Sequence, residues 1–152
     1  MFNSYGQVIG INSSKIASTD YEGMGFAIPS KTVQEVVNSI IANGYVSGRA
    51  QIGIKYEPLS YYKDYNQLVA QGIPEGAIVI YSIEQNSGLI GTQAQTNDII
   101  VAVDGETMSS ADVLISKLSN SKPGDKMSIR VARIENGRIS YIDIEFTLTE
   151  AK

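Results

Sequence analysis

A chain of 152 residues, 43% of them apolar, has room for one ordinary domain or a small domain with an appendage, and it is too apolar to remain disordered. Its 12 Lys and Arg against 16 Asp and Glu give a net charge of -4, and the scattered basic residues form no stripe to neutralise phosphates, so nucleic acid is not an expected partner. With no Cys and no His, the chain offers no thiol nucleophile, no Cys/His zinc site and no imidazole base, and no cofactor or metal is expected. No apolar run approaches the ~18 residues of a membrane-spanning helix. Met1 leads into polar residues rather than a basic and then apolar leader.

Tyr5 to Asn12 predicts a first strand, with Val8, Ile9 and Ile11 entered through a turn at Gly6. Residues 13–23 are small and polar and predict a loop. Gly23 to Pro29 predicts a second strand, ended by a proline that cannot donate to a ladder, and the two strands read as a hairpin. Val33, Val36, Val37, Ile40 and Ile41 then recur at helical spacing, which predicts a helix from about Thr32 to Ala42 capped by Ser30 and stopped by Gly44.

After a linker near residue 49 the pattern changes to short strands between turn residues. Ile52–Tyr56 predicts a strand, Tyr61–Ala70 a short helix, and Ala77–Ile83 and Asp98–Val103 two central strands rich in β-branched residues. Asp104-Gly105 marks a tight turn. Ser109 or Ser110 caps a helix over Ala111–Leu118, and Lys126–Ile134 and Ile139–Leu148 form a hairpin around Asn136-Gly137. Glu57, Asp64, Glu75 and Glu84 are dispersed without metal-ligand spacing and read as solvated surface. Tyr61, Tyr62 and Tyr65 cluster on the short helix, where a surface role and a binding role are both open.

Two segments, Gly6-Gln7-Val8-Ile9-Gly10-Ile11-Asn12 and Gly23-Met24-Gly25-Phe26-Ala27-Ile28-Pro29-Ser30, stand in register with the helix that follows. They resemble the end of the trypsin-like domain of HtrA (Deg) serine proteases. The remainder is similar to that family's PDZ domain through Gln51-Ile52-Gly53-Ile54, Gly76-Ala77-Ile78-Val79, Asn97-Asp98-Ile99-Ile100 and Pro123-Gly124-Asp125. Asn86-Ser87-Gly88-Leu89-Ile90-Gly91 departs from the family, which usually shows a Pro and an Ala-Gly-Leu run there.

The resemblance implies an α+β, mainly β fold. Residues 49–152 would be a PDZ-like, partly open barrel with two helices, and residues 1–48 a hairpin and helix from the end of a trypsin-like β-barrel. The family's serine motif and its catalytic His and Asp are absent, so the chain by itself has no catalytic residues. It reads as a truncation cut just after the nucleophile motif, with any membrane attachment confined to upstream sequence.

The resemblance further implies binding of hydrophobic C-termini or unfolded segments by strand addition, in extracytoplasmic protein quality control. Gln51, Ile52, Gly53 and Ile54 would form the carboxylate-binding loop, where a residue without Cβ lets several N–H groups face one anion. On the residues alone, Ile52-Gly53-Ile54 reads as merely the start of a strand. Ile52 and Ile54 would line the pocket for the last side chain, with Tyr56 further along and Lys55 either solvated or drawing the carboxylate. Ile115 and Leu118 would supply the opposite wall, although Leu118, spaced i, i+4 from Leu114, also reads as core. Residues 5–29, deprived of barrel neighbours, would pair with the PDZ body or with a second copy of the chain. The alternatives are a non-proteolytic adaptor and a self-blocked regulatory module.

Overall fold

The helical spacing of Val33, Val37, Ile40 and Ile41 gives α1 over Ser30–Asn43, and Gly44, in the left-handed region at φ 83°, closes it by donating its N–H to Ile40 O at 2.8 Å. The computed structural model describes residues 1–15 and 25–151 in two compact units, Met1–Ser47 and Gly48–Ala151. Ser30 is not the cap. Pro29 occupies that position, and no side chain caps the helix, because β2 runs straight into it: Ser30 N–H donates to Ile9 O at 3.1 Å.

In the first unit β1 (Gly10–Lys15) pairs antiparallel with β2 (Gly25–Pro29), Ile11 opposite Ile28. The strand begins at Gly10 rather than Tyr5, since Asn3 Oδ1 accepts the N–H groups of Tyr5 (3.0 Å) and Gln7 (2.9 Å) and holds that stretch in a turn. Most of the expected loop, with Gly23 and Met24 of the expected second strand, lies outside the described residues. No residue of α1 is buried, and Val8, Ile11, Val33 and Val37 line a shallow apolar hollow of about 280 Å³.

The second unit is built on one open antiparallel sheet. Its path is β4 (Ile54–Pro58), β5 (Ile78–Ile83), β6 (Ile99–Val103), β8 (Lys126–Glu135) and β9 (Arg138–Thr147), with the short β7 (Glu106–Thr107) also on β6. β3 (Ala50–Gln51) pairs separately with β10 (Thr149–Glu150). Among the described residues the sheet does not close on itself, and β4 and β9 are its edges. The expected helix at Tyr61–Ala70 is a 3-10 turn, Leu59–Tyr61, followed by α2 over Tyr65–Ala70. α3 spans Ala111–Ser119, and Ser110 caps it by accepting Asp112 N–H at 3.2 Å.

Strand alternation sends side chains to two cores. Ile78, Ile80, Ile100, Ile129 and Val131 join Leu114 of α3 on one face. Ala77, Val79, Ile99, Val101 and Ala132 meet Leu59 and Leu68 on the other. An irregularity between Ile100 and Ala102 resets the alternation, so Val103 returns to the α3 face. Asp104-Gly105 and Asn136-Gly137 both carry positive φ at two successive residues, the backbone of a type I′ turn.

One buried charge is part of this frame. Asp98, 1% exposed, takes a bidentate pair from Arg133 (2.7 and 2.8 Å) and accepts Gln95 N–H at 2.8 Å, while Arg133 also donates to Gln93 O at 2.6 Å. The hydrogen bonds to Asp98 hold the guanidinium above its ordinary pKa, and both buried carboxylate oxygens have partners.

Candidate functional site

The expected strand at Ile52–Tyr56 is interrupted. Gln51 ends β3, Ile54 begins β4, and between them Gly53 sits at φ 79°. A side chain there would be strained by the backbone, and its Cβ would stand 2.7 Å from Ser87 Cα, so glycine is required twice over. Among the described residues, the main-chain N–H groups of Ile52 and Gly53 have no acceptor. Their carbonyls are held: Ile52 O accepts Ser87 Oγ–H at 2.7 Å and Gly88 N–H at 3.1 Å, and Gly53 O accepts Glu84 N–H at 2.9 Å. The Ile52 carbonyl is thus held by the segment that departs from the family pattern, and the Gly53 carbonyl by Glu84 just before it.

The same bonds set the parity of β4. Since Glu84 N–H reaches Gly53 O, Ile54 and Ile83 form a non-hydrogen-bonded pair, and Ile54 directs its own N–H and C=O away from β5. At the other end Leu59 N–H donates to Ala77 O, which puts Pro58 and Tyr56 in the same outward class. The free edge therefore offers both groups of Ile54, both groups of Tyr56, and only a carbonyl at Pro58, where the donors stop. Three successive N–H groups, those of Ile52, Gly53 and Ile54, stand unbonded at its beginning, an arrangement suited to one carboxylate.

Side chains divide by face. Ile54 is half-buried against the α3-side core, Tyr56 lies on the same face opposite Ile80, and Lys55 and Glu57 are exposed on the other. Ile52 is 2% exposed and wholly part of the core, so it offers backbone rather than a pocket wall. Gln51 belongs to β3 and spends its side-chain amide on Glu150 O at 3.3 Å. On α3, Leu114 is buried, Leu118 half-buried and Ile115 exposed.

Ile115, Leu118 and Ser119 line a cleft of about 490 Å³ together with Gly48, Arg49 and Ala50. Arg49, absent from the sequence-derived set, is the one charged residue in its lining and forms no ion pair among the described residues. Ser87 was also out of reach of sequence reasoning, although its place in the divergent segment was a signal. Tyr61 is exposed, whereas Tyr62 and Tyr65 are half-buried against the second core.

The PDZ domain family model matches residues 50–146. Over 91% of its length the chain is 34% identical to the serine protease Do-like HtrA of Lactobacillus helveticus, and over 88% it is 33% identical to the serine protease Do-like HtrB of Bacillus subtilis. A 35% identical relative, from Brucella suis, is named a probable periplasmic serine endoprotease DegP-like. The chain spans about a third of the length of the first two, 34% and 30%. Among solved structures, HtrA-type protease AlgW with decapeptide is similar at TM-score 0.61 and 26% identity, covering 97% of this chain and 43% of that one. AlgW with tripeptide follows at TM-score 0.60 and 25% identity, covering 99% of this chain and 48% of that one. With an unpaired strand edge, unbonded amides at its start and a cleft beside α3, the chain belongs to the PDZ domain family.

Proposed function

We propose that the second unit captures the C-terminus of a polypeptide by adding it as a strand to β4. The observation that carries this reading is the run of unbonded N–H groups at Ile52, Gly53 and Ile54, set where the unpaired β4 edge begins. A carboxylate held there fixes the ligand antiparallel to β4. Its last N–H meets Ile54 O, its third residue from the end pairs with Tyr56, and its last side chain enters the cleft of Ile115 and Leu118. Apolar terminal residues suit this cleft, and Arg49 at its rim adds attraction for the carboxylate.

Fluorescence titration of a Val-terminated peptide, as free acid and as C-terminal amide, tests this directly. The free acid should bind at least about tenfold more tightly, because charge-assisted bonds to amides contribute about 1.5–3 kcal/mol. Equal affinity for acid and amide would refute carboxylate capture.

In a longer parent, the similarity to Do-like proteases, one of them named periplasmic, supports presentation of unfolded chains to a serine endopeptidase outside the cytoplasm. The first unit would then be the end of the protease domain. A second role is favoured by one observation: α1 buries no residue, and Phe26, Ile28 and Val8 of the hairpin region are exposed. Residues 5–29 would associate through this apolar face with a second copy of the chain. Sedimentation of the chain at increasing concentration checks it, a monomer at every concentration being the contrary result.

A further inference from the structure

We propose that the β4 edge selects an acidic residue at the penultimate position of its ligand, through Lys55; this rests on the strand-addition reading above. The inference follows from register. With the ligand's third-last residue in a hydrogen-bonded pair with Tyr56, its penultimate residue falls opposite Lys55 in a non-hydrogen-bonded pair. In such pairs Cα atoms stand about 4.5 Å apart and the two side chains share a face at close range.

Lys55 is free to use that position. It is exposed, it forms no ion pair among the described residues, and its neighbour across the ladder on β5 is the neutral Ser82. Glu57, two residues on and on the same face, leaves the ammonium uncommitted. The cleft residues Ile115 and Leu118 lie on the other face and read the terminal side chain. Terminal and penultimate selection are therefore separable, the first by apolar contact and the second by charge.

The test uses the full chain and three labelled hexapeptides, all ending in Val and differing only in Glu, Gln or Lys at the penultimate position. Fluorescence anisotropy should rank them Glu above Gln above Lys, with steps of about two- to fivefold, the range of an opposite-charge cross-strand pair. Lys55→Gln should level the order, and Lys55→Glu should invert it. Raising the salt should compress it. An unranked wild type, an order unchanged in Lys55→Glu, or an order removed by Arg49→Gln instead would each overturn the proposal while peptide binding itself survives. Failure of all three peptides to bind the wild type would instead remove the strand-addition reading beneath it.

Discussion

Ser87 Oγ–H donates to the carbonyl of Ile52 at 2.7 Å across 35 residues of sequence, and the same oxygen accepts Leu89 N–H at 3.1 Å. One buried hydroxyl thus fastens the loop before β4 to the turn after β5, and with Ile52 O held there the Gly53 N–H of the same planar peptide unit is turned the opposite way. Ser87→Ala should cost about 1–2 kcal/mol, since Ile52 O keeps the Gly88 N–H while the hydroxyl's two bonds are lost. Chemical denaturation measures the loss. Peptide affinity should fall as well, because the loop is no longer fixed in its binding conformation.

Gly53→Ala should be worse for the fold than for recognition alone. The left-handed backbone costs about 1–3 kcal/mol for a residue with a Cβ, and the Cβ meets Ser87 Cα at 2.7 Å. A thermal melt of this variant should fall below that of Ser87→Ala, which leaves Gly53 unstrained.

Breaking the Asp98–Arg133 pair should be among the most damaging single changes. Asp98→Ala strands a largely covered guanidinium and leaves Gln95 N–H without its acceptor, an expected loss of about 3 kcal/mol by denaturant titration. Arg133→Met should lose a comparable amount by leaving the carboxylate buried alone.

The exposed Arg130–Asp143 pair predicts a pH effect of small size. Hydrogen bonds from Arg130 hold the Asp143 carboxyl below its ordinary value of 3.8. A depressed folded pKa means that the contribution to stability is complete above 3.8 and is lost as pH falls through the lowered value. Asp143→Asn should flatten this acid limb of the stability curve and leave neutral stability nearly unchanged, as expected for a solvated pair.

Much of this architecture was legible because it is local. The spacing in α1, the Ser110 cap and the two positive-φ turns, Asp104-Gly105 and Asn136-Gly137, are each encoded within a few residues. Gly53 stands in a motif legible in the sequence, but the close approach that excludes a Cβ there comes from Ser87, which no periodicity connects to it. The expected strand through Ile52–Tyr56 is interrupted by one left-handed glycine. Arg49 escaped attention because its place in the cleft depends on how Gly48–Ala50 lie beside α3, a tertiary fact. The resemblance implies a pocket role for Ile52, and only packing shows that its side chain is spent on the core.

Pro58 sets a limit on the ligand. With no donor at that position, the ladder available to an incoming strand ends after Tyr56. Lengthening a peptide from four to eight residues should add little affinity, whereas N-methylation of its third-last residue should abolish the pairing; calorimetry on the two series measures both.

The most direct test is amide mapping by nuclear magnetic resonance during titration with a Val-terminated peptide. Strand addition to β4 predicts the largest shifts, and new exchange protection, at the amides of Ile52, Gly53, Ile54 and Tyr56, with Lys55 and Glu57, whose amides already face β5, changing less. Shifts concentrated instead along β9, the opposite edge of the sheet, would contradict the assignment.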